Sequence, residues 1–346
     1  MNKITRIGLD IAKNIFVLYA VNEHGKTVKR QTLSRSKVLS FFAQTEPCLV
    51  GIESCASSQH WAREIRQFGH TVKLINPKFV VPYRKSGKND TNDAEAICEA
   101  VGRPNMRFVS VKSIEQQAVC SLHTGRQFLV VQRTALINHC RGLLTEFGII
   151  MPLGADKVRR LFAEILDDEQ SAIPLLLKDL LQQHLQDLAR LEHRIESIDQ
   201  QLAQWAKTNQ QAMTLLQMLG VGVITATAFA AGVCDPKLFD NGRQFSAWIG
   251  LVPRQYSSGG KNKLGSITKT GDVYLRTMLA QGARSIVFNA KKKNDPFSLW
   301  IQRLLERAGM NKTVIAVAAK QARIMWAIMA KNQDYQPERI CSPLSA

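Results

Sequence analysis

The sequence predicts a mixed α/β domain, then a helical coiled-coil arm, then a mainly helical C-terminal domain. Three observations carry this. Up to Pro77 short β-type runs alternate with amphipathic helical segments, the middle of the chain carries a heptad spacing, and beyond residue 208 the apolar runs are helical and interspersed with Gly and Lys.

The opening runs RIGLDIA, NIFVLYAVNEHGK and VKRQTL alternate apolar with polar residues or run apolar, and Gly25 supplies a hairpin turn. They predict three antiparallel strands. A short amphipathic helix follows around 37–44, then a buried strand from Cys48 to Ser54 (CLVGIES), a helix around 59–68 and a strand TVKLIN. Strands alternating with helices after an antiparallel meander make a mixed sheet. A helix is expected from Asp90 to Val101, and Ile114 to Phe147 reads as one long helix carrying Arg126, Arg133 and Arg141. Residues 1–153 form the first domain on this pattern.

Residues 154–207 read as the arm. Leu181, Leu188, Leu191, Ile195, Ile198, Leu202 and Trp205 follow a three-four spacing, with His184 in one seam position. Such a seam is what a coiled coil buries, and it is the reason to expect a homodimer; an ordinary long helix packed on its own domain is the alternative. Residues 208–332 form the helical C-terminal domain, with LRTMLAQGARSIVF and TVIAVAAKQARIMWAIM as apolar helices, and 333–346 form a loose tail.

Lys and Arg number 46 against 28 Asp and Glu, a formal net charge of +18. A polyanion is the partner such a balance fits, nucleic acid first, because Lys and Arg release counterions from a phosphate backbone. A soluble basic protein without such a partner is the plainer reading. The seven cysteines are scattered and form no C-x-x-C pair, which points to a reducing cytoplasm and away from zinc knuckles and disulfide frameworks. The start, MNKITRIGLD, lacks the apolar core of a secretory signal. Ala212 to Cys234 has no charged residue, yet it breaks at Gly220-Val221-Gly222 and is rich in Gly, Ala and Thr. Two short buried helices are expected there rather than a membrane span, and no membrane partner.

Four acidic residues stand out in the first half. Asp10 lies inside a strand, where an unpaired carboxylate is costly, Glu53 ends another strand, and Asp90 and Asp93 open a helix in DTND. Brought together they suit a divalent metal of the kind that assists phosphodiester cleavage. Asp90 and Asp93 have an alternative as helix cap and capping-box partner. In the second half, Gly220 and Gly222 sit between two helical runs and resemble a helix-hairpin-helix element, whose backbone N–H groups can face a phosphate; tight helix packing is the alternative. The segment RQYSSGGKNKLGSITKTGDVYLR sets Ser257 and Ser258 before two glycines among Arg254, Lys261, Lys263, Lys269 and Arg276. Cations and metal ions can make a serine a nucleophile toward phosphorus, and the same segment also suits a phosphate-binding loop without chemistry. Together with Tyr256 and the two glycines of the turn, these cations are the candidate nucleic-acid contacts.

The ordered motifs GLDIAKN, IES, NDTNDA, LGVG, FSAWIGLVPRQYSSGG and ITKTGDVYLR, spread from residue 8 to residue 276, resemble the transposases of the one-hundred-and-ten family of bacterial insertion sequences, related to the Piv DNA invertases. The resemblance implies a RuvC-like N-terminal domain of the ribonuclease H fold, in which Asp10, Glu53, Asp90 and Asp93 bind Mg²⁺. It implies a C-terminal transposase domain whose catalytic serine, in a Tyr-x-Ser-Gly context, corresponds to Ser258, with the adjacent Ser257 leaving room for a shift of one residue. It further implies donor and target DNA as substrates, a structured bridge RNA as guide, and a homodimer that forms a tetramer on DNA, with the acidic site of one subunit facing the serine of another. The expected activity is DNA recombination through a covalent phosphoserine. A junction-resolving Mg²⁺ nuclease without serine chemistry, and a non-catalytic nucleic-acid-binding protein, are the rival readings.

Overall fold

The computed structural model describes residues 3–85, 89–152, 154–168, 173–258 and 261–337. The chain divides into two compact units, Met1–Ser113 and Ile114–Ala346.

The first unit is built on a sheet. Strands β1 (Arg6–Ile11), β2 (Ile15–Val21) and β3 (Thr27–Ser34) form the antiparallel meander, turning at Gly25, whose φ of 73° suits a residue without Cβ. Helix α1 (Val38–Ala43) leads to β4 (Leu49–Glu53), α2 (Ser58–Arg66) to β5 (Thr71–Ile75), and the single turn α3 (Pro77–Val80) precedes α4 (Asp90–Val101) and the short β6 (Phe108–Val109). The sheet order is β3-β2-β1-β4-β5-β6, with β1, β4 and β5 parallel and β6 antiparallel to β5.

Alternation along the strands sorts the two faces. Ile7, Leu9, Leu18, Val50, Ile52 and Leu74 are fully buried in one core with Phe16, Phe42, Trp61 and Ile65. Gly8 and Gly51, paired across β1 and β4, lie on the other face beneath α4. A Cβ on Gly8 would stand 2.1 Å from the Ala94 carbonyl oxygen, and one on Gly51 would stand 2.7 Å from Cβ of Val101. Two missing side chains therefore let the helix lie directly on the sheet. Gly8→Ala is expected to destabilise this unit by about 3 kcal/mol, because a backbone carbonyl cannot yield as a side chain does. Gly142→Ala, in a helix with nothing within 4 Å of the added Cβ, is its control, expected to be neutral or to stabilise by about 1 kcal/mol. Chemical denaturation of the two variants checks this.

The second unit begins with α5 (Ile114–Thr145), which packs on α7 (Leu175–Thr208); α6 (Ala155–Asp167) joins them. The heptad seam of α7 is filled within the chain. Leu181 and Leu188, at 0% and 1% exposure, meet Ile137, Cys140 and Leu144 of α5 and Val158, Phe162 and Ile165 of α6, while Leu202 meets Val119. Val119 near one end and Ile137 toward the other make the α5–α7 pair antiparallel. Arg126 of α5 reaches Asp199 (Nη2–Oδ2, 3.1 Å) and Arg159 of α6 reaches Glu192 (2.8 Å), both on α7. The seam thus finds its partner in cis, which removes it as the reason for a dimer. Helix α5, placed with the first domain by sequence, packs in the second unit, on α7 and on α9 (Val223–Gly232).

The rest is a helical core. Helices α8 (Gln210–Leu216), α9, α10 (Gly242–Ile249), α11 (Val273–Ala290), α12 (Pro296–Ala308) and α13 (Met310–Lys331) enclose Phe229, Phe245, Leu279, Ile301, Val317 and Met325. The uncharged stretch from Ala212 forms the two short helices α8 and α9, as its glycines predict. Helix α13 alone among the described residues is long and apolar enough to cross a membrane, and half of its apolar window is buried in this core. Strands β7 (Pro253–Ser258) and β8 (Lys261–Ile267) project as a two-stranded ribbon. Of the tail, residues 338–346, and with them Cys341, lie outside the described residues.

Candidate functional site

The period of two that hides Ile7 and Leu9 in the core turns Asp10 and Glu53 toward the face covered by α4. Asp10 lies next to the last residue of β1, two residues past Gly8, and Glu53 ends β4 two residues past Gly51. The close seating of α4 on those glycines carries Asp90 and Asp93, in its first turn, to the same end of the sheet. The four carboxylates are near enough to act on one another. The Asp10 carboxyl is pushed up to about 6, first by burial and then by the charges of Asp93, Asp90 and Glu53; Glu53 is also raised, by burial, against the pull of Arg84.

The capping alternative for the aspartates does not hold in this geometry. Asn89 is the N-cap of α4, its side-chain oxygen accepting the Asn92 N–H at 2.8 Å, so Asp90 and Asp93 do not cap the helix. Arg84, which sequence alone did not single out, is the cation of the cluster: its Nη2 is 3.5 Å from Glu53 Oε2 and its Nε is 2.8 Å from Asp93 Oδ1. The second contact lacks hydrogen-bond alignment, leaving the buried Oδ1 of Asp93 and the buried Nε of Arg84 without hydrogen-bond partners. Among the described residues no three His, Cys, Asp or Glu side chains are grouped closely enough to hold an ion together. The donor chemistry nonetheless fits a divalent cation, since Glu53 and Asp93, the latter 8% exposed, share the single Arg84 guanidinium, and burial together with the charges of its acidic neighbours raises the Asp10 carboxyl.

In the second unit the serines lie on the ribbon rather than on a loose loop. Backbone pairing sets Ser258 opposite Lys261, Ser257 opposite Asn262 and Tyr256 opposite Lys263. Cross-strand partners share a face, so position 258 falls in register with Tyr256, Lys261 and Lys263, and position 257 with Gln255, whose amide donates to Ser257 Oγ at 2.9 Å. Tyr256 is 59% exposed, Arg254, Lys261 and Lys263 are exposed, and an open recess is lined by Tyr256, Ser257, Lys261 and Lys263. Gly259 and Gly260 lie outside the described residues.

The base of the ribbon is tightly tied. Gly250 and Gly271 have φ near 80°, where a Cβ would strike the Thr270 and Trp248 carbonyl oxygens at 2.2 and 1.9 Å. Lys269, with φ of 54°, is held in the left-handed region by its N–H donating to Gly250 O. Arg276 is half-buried and donates from Nη1 to Ile249 O at 2.9 Å and Thr270 O at 3.0 Å, clamping the strand entrance to the exit. Asp272 caps α11 by accepting from Tyr274 N and Leu275 N. Behind it, Thr227 Oγ1 gives its proton to Val223 O and accepts from His123 Nε2, so Nδ1 accepts from the Tyr274 hydroxyl at 3.0 Å. Burial lowers the His123 imidazole to about 4, and the ring stays neutral in this network. Arg276→Ala is expected to speed tryptic cleavage within the ribbon, at Arg254, Lys261 and Lys263, by about tenfold, since losing two charge-assisted bonds makes local opening easier. Limited proteolysis beside a thermal melt separates this from global unfolding.

The glycines of the α8–α9 turn divide in role. Gly220, with φ of 74°, packs on α11, where a Cβ on Gly282 would stand 2.2 Å from Gly220 O, and Gln321 donates to Leu219 O at 2.7 Å. Gly222 is exposed, caps α9 without a side chain, and has nothing within 4 Å of a virtual Cβ. Its surroundings leave room for close backbone approach.

Comparison with known proteins agrees with both halves. The model of the DEDD transposase domain of the IS110 family matches residues 7–149, and a model described as the transposase IS116/IS110/IS902 family matches residues 212–297. A DEDD domain implies use of a divalent cation by acidic residues. The chain is 46% identical to a probable family 20 transposase of Pseudomonas aeruginosa, over 96% of this chain and 99% of that protein. It is 40% identical to the transposase for insertion sequence element IS1111A of Coxiella burnetii, over 97% and 92% of the two chains. At 22% identity it also aligns with the pilin gene-inverting protein of Moraxella bovis, over 96% and 97%. Matched in both units and along nearly its whole length, the chain belongs to the IS110 family of transposases.

Proposed function

We propose that this protein cuts and rejoins DNA strands through a covalent phosphoserine formed at Ser258, with Asp10, Glu53, Asp90 and Asp93 holding Mg²⁺ at the phosphate attacked. The observation that carries the reading is the gathering of four carboxylates at the parallel-strand end of the sheet, where burial first and then the charges of Asp93, Asp90 and Glu53 raise Asp10 to about 6. The strand order β3-β2-β1-β4-β5 supports a RuvC-like ribonuclease H fold for this unit. Register favours Ser258 over Ser257 as nucleophile, because position 258 falls with Tyr256, Lys261 and Lys263.

Ser258 Oγ gives up its proton and forms a bond to phosphorus as the bond from phosphorus to the 3′ oxygen breaks, and the departing oxygen takes up a proton to become a 3′-hydroxyl. In the second step a 3′-hydroxyl, the original or its exchanged partner, attacks the phosphoserine, and the serine oxygen leaves and regains its proton. No ATP is needed, since one phosphoester is exchanged for another. When bound, Mg²⁺ supplies positive charge where the phosphate becomes more negative. Arg254, Lys261, Lys263 and Lys269 contact phosphates, Tyr256 offers a ring to an unstacked base, and the N–H groups beyond Gly222 meet a backbone phosphate. Arg276 serves the site by holding the ribbon's base.

Resemblance to the family supports a bridge RNA pairing with donor and target DNA, a dimer that becomes a tetramer on DNA, and an acidic site that acts with another subunit's serine. No disulfide joins the cysteines among the described residues, which suits a reducing cytoplasm. The test is a DNA substrate carrying the element's ends, incubated with protein and Mg²⁺ and resolved under denaturing conditions. The proposal expects a protein-linked 5′ phosphate. Cleavage that leaves only free DNA ends would leave a hydrolytic nuclease standing instead.

A further inference from the structure

We propose that Arg84 is an exchangeable counter-ion of the acidic site, neutralising Glu53 and Asp93 while the site is metal-free and turning to the substrate's phosphate once a divalent cation takes those carboxylates. The inference rests on the metal-binding reading of the cluster. Asp93 is 8% exposed, and a buried carboxylate without a cation is strongly disfavoured. Among the described residues Arg84 is the cation paired with Glu53 and Asp93.

The pairing is poor by the standard of arginine and carboxylate. A strong pair places two parallel N–H bonds at about 2.8 Å. Here one contact is 3.5 Å long, and the other, at 2.8 Å, leaves both Nε and Oδ1 without a hydrogen bond. An ion of twice the charge that accepts ligand oxygens directly outcompetes such a contact. Arg84 can also leave: its side chain is 30% exposed, and it follows the single 3-10 turn Val81–Tyr83 rather than lying inside a regular element. A guanidinium displaced beside a bound phosphodiester meets the acceptor it suits best, two oxygens at fork spacing.

The experiment measures two affinities in the full-length chain carrying Ser258→Ala, so that DNA stays intact: Mn²⁺ by calorimetry or electron paramagnetic resonance, and a short DNA duplex at saturating Mn²⁺. Adding Arg84→Ala is expected to tighten Mn²⁺ binding by about tenfold, equivalent to about 1.4 kcal/mol of removed competition. The same change is expected to weaken metal-loaded DNA binding by a similar factor, and Arg84→Lys to lie between. The opposite signs are the signature, since a residue that only supports the fold would lower both. Mn²⁺ affinity unchanged or weakened in Arg84→Ala, with the thermal melt retained, overturns the proposal. If neither the parent nor the variant takes up Mn²⁺, the metal reading itself fails and takes this inference with it.

Discussion

Ser258→Ala is expected to abolish the proposed protein–DNA linkage and to lower strand cleavage by about 10⁴-fold or more, the scale on which removing a covalent nucleophile acts. Ser257→Ala is expected to leave cleavage within about threefold, because its hydroxyl accepts an exposed hydrogen bond from the Gln255 amide. The pair of variants is informative because the two positions are adjacent yet alternate in register along β7. Gel analysis of cleavage on DNA carrying the element's ends reads both. Undiminished cleavage by Ser258→Ala would assign the chemistry to the acidic cluster alone.

Asp10→Asn is expected to have two large and opposite effects. Cleavage falls by about 10³-fold or more, since a neutral amide neither holds a divalent cation as a carboxylate does nor takes part in its charge balance. Stability of the metal-free protein at neutral pH rises. The direction follows from linkage: the Asp10 carboxyl is raised from 3.8 to about 6 by burial and by its acidic neighbours, so between those values the folded chain binds more protons than the unfolded one. Stability therefore falls as pH rises through that window and stays lower above it. The amide removes both the repulsion and its pH dependence, and saturating Mg²⁺ restores the parent's stability without helping the variant. Thermal melts with chelator and with Mg²⁺, at pH 5 and pH 7.5, test the pattern; a variant less stable than the parent at neutral pH without metal would contradict it.

Much of this was legible in the chain because it rests on local period. The meander, the glycine turn at residue 25 and the helix from Asp90 each follow from alternation or capping chemistry, and the structure places each within a few residues. What failed were questions of partnership. The seam on α7 announces that one face is buried, and period cannot say whether the burying helix belongs to the same chain; here it is α5. Asn89 rather than Asp90 caps α4, a choice among neighbouring polar residues made by backbone geometry. The ribbon escaped notice because β7 and β8 have solvent on both faces and so lack apolar alternation. Its available cue was two polar runs separated by exactly the pair Gly259-Gly260, a hairpin signal independent of hydrophobicity. Arg84 was invisible for another reason: only the seating of α4 on Gly8 and Gly51 brings Glu53 and Asp93 to one guanidinium. Arg276, one of several cations near the serines in sequence, is distinguished by the two carbonyl oxygens it holds.

The most direct measurement is the metal and carboxylate dependence of adduct formation, followed by mass spectrometry of the DNA-linked peptide. On a nicked substrate that prevents resealing, the parent protein is expected to accumulate an adduct on Ser258, and chelation of Mg²⁺ or Asp10→Asn is expected to suppress it. An adduct on Ser258 that forms as fast without divalent cation and with Asp10→Asn would mean that serine and carboxylates do not act on one phosphate.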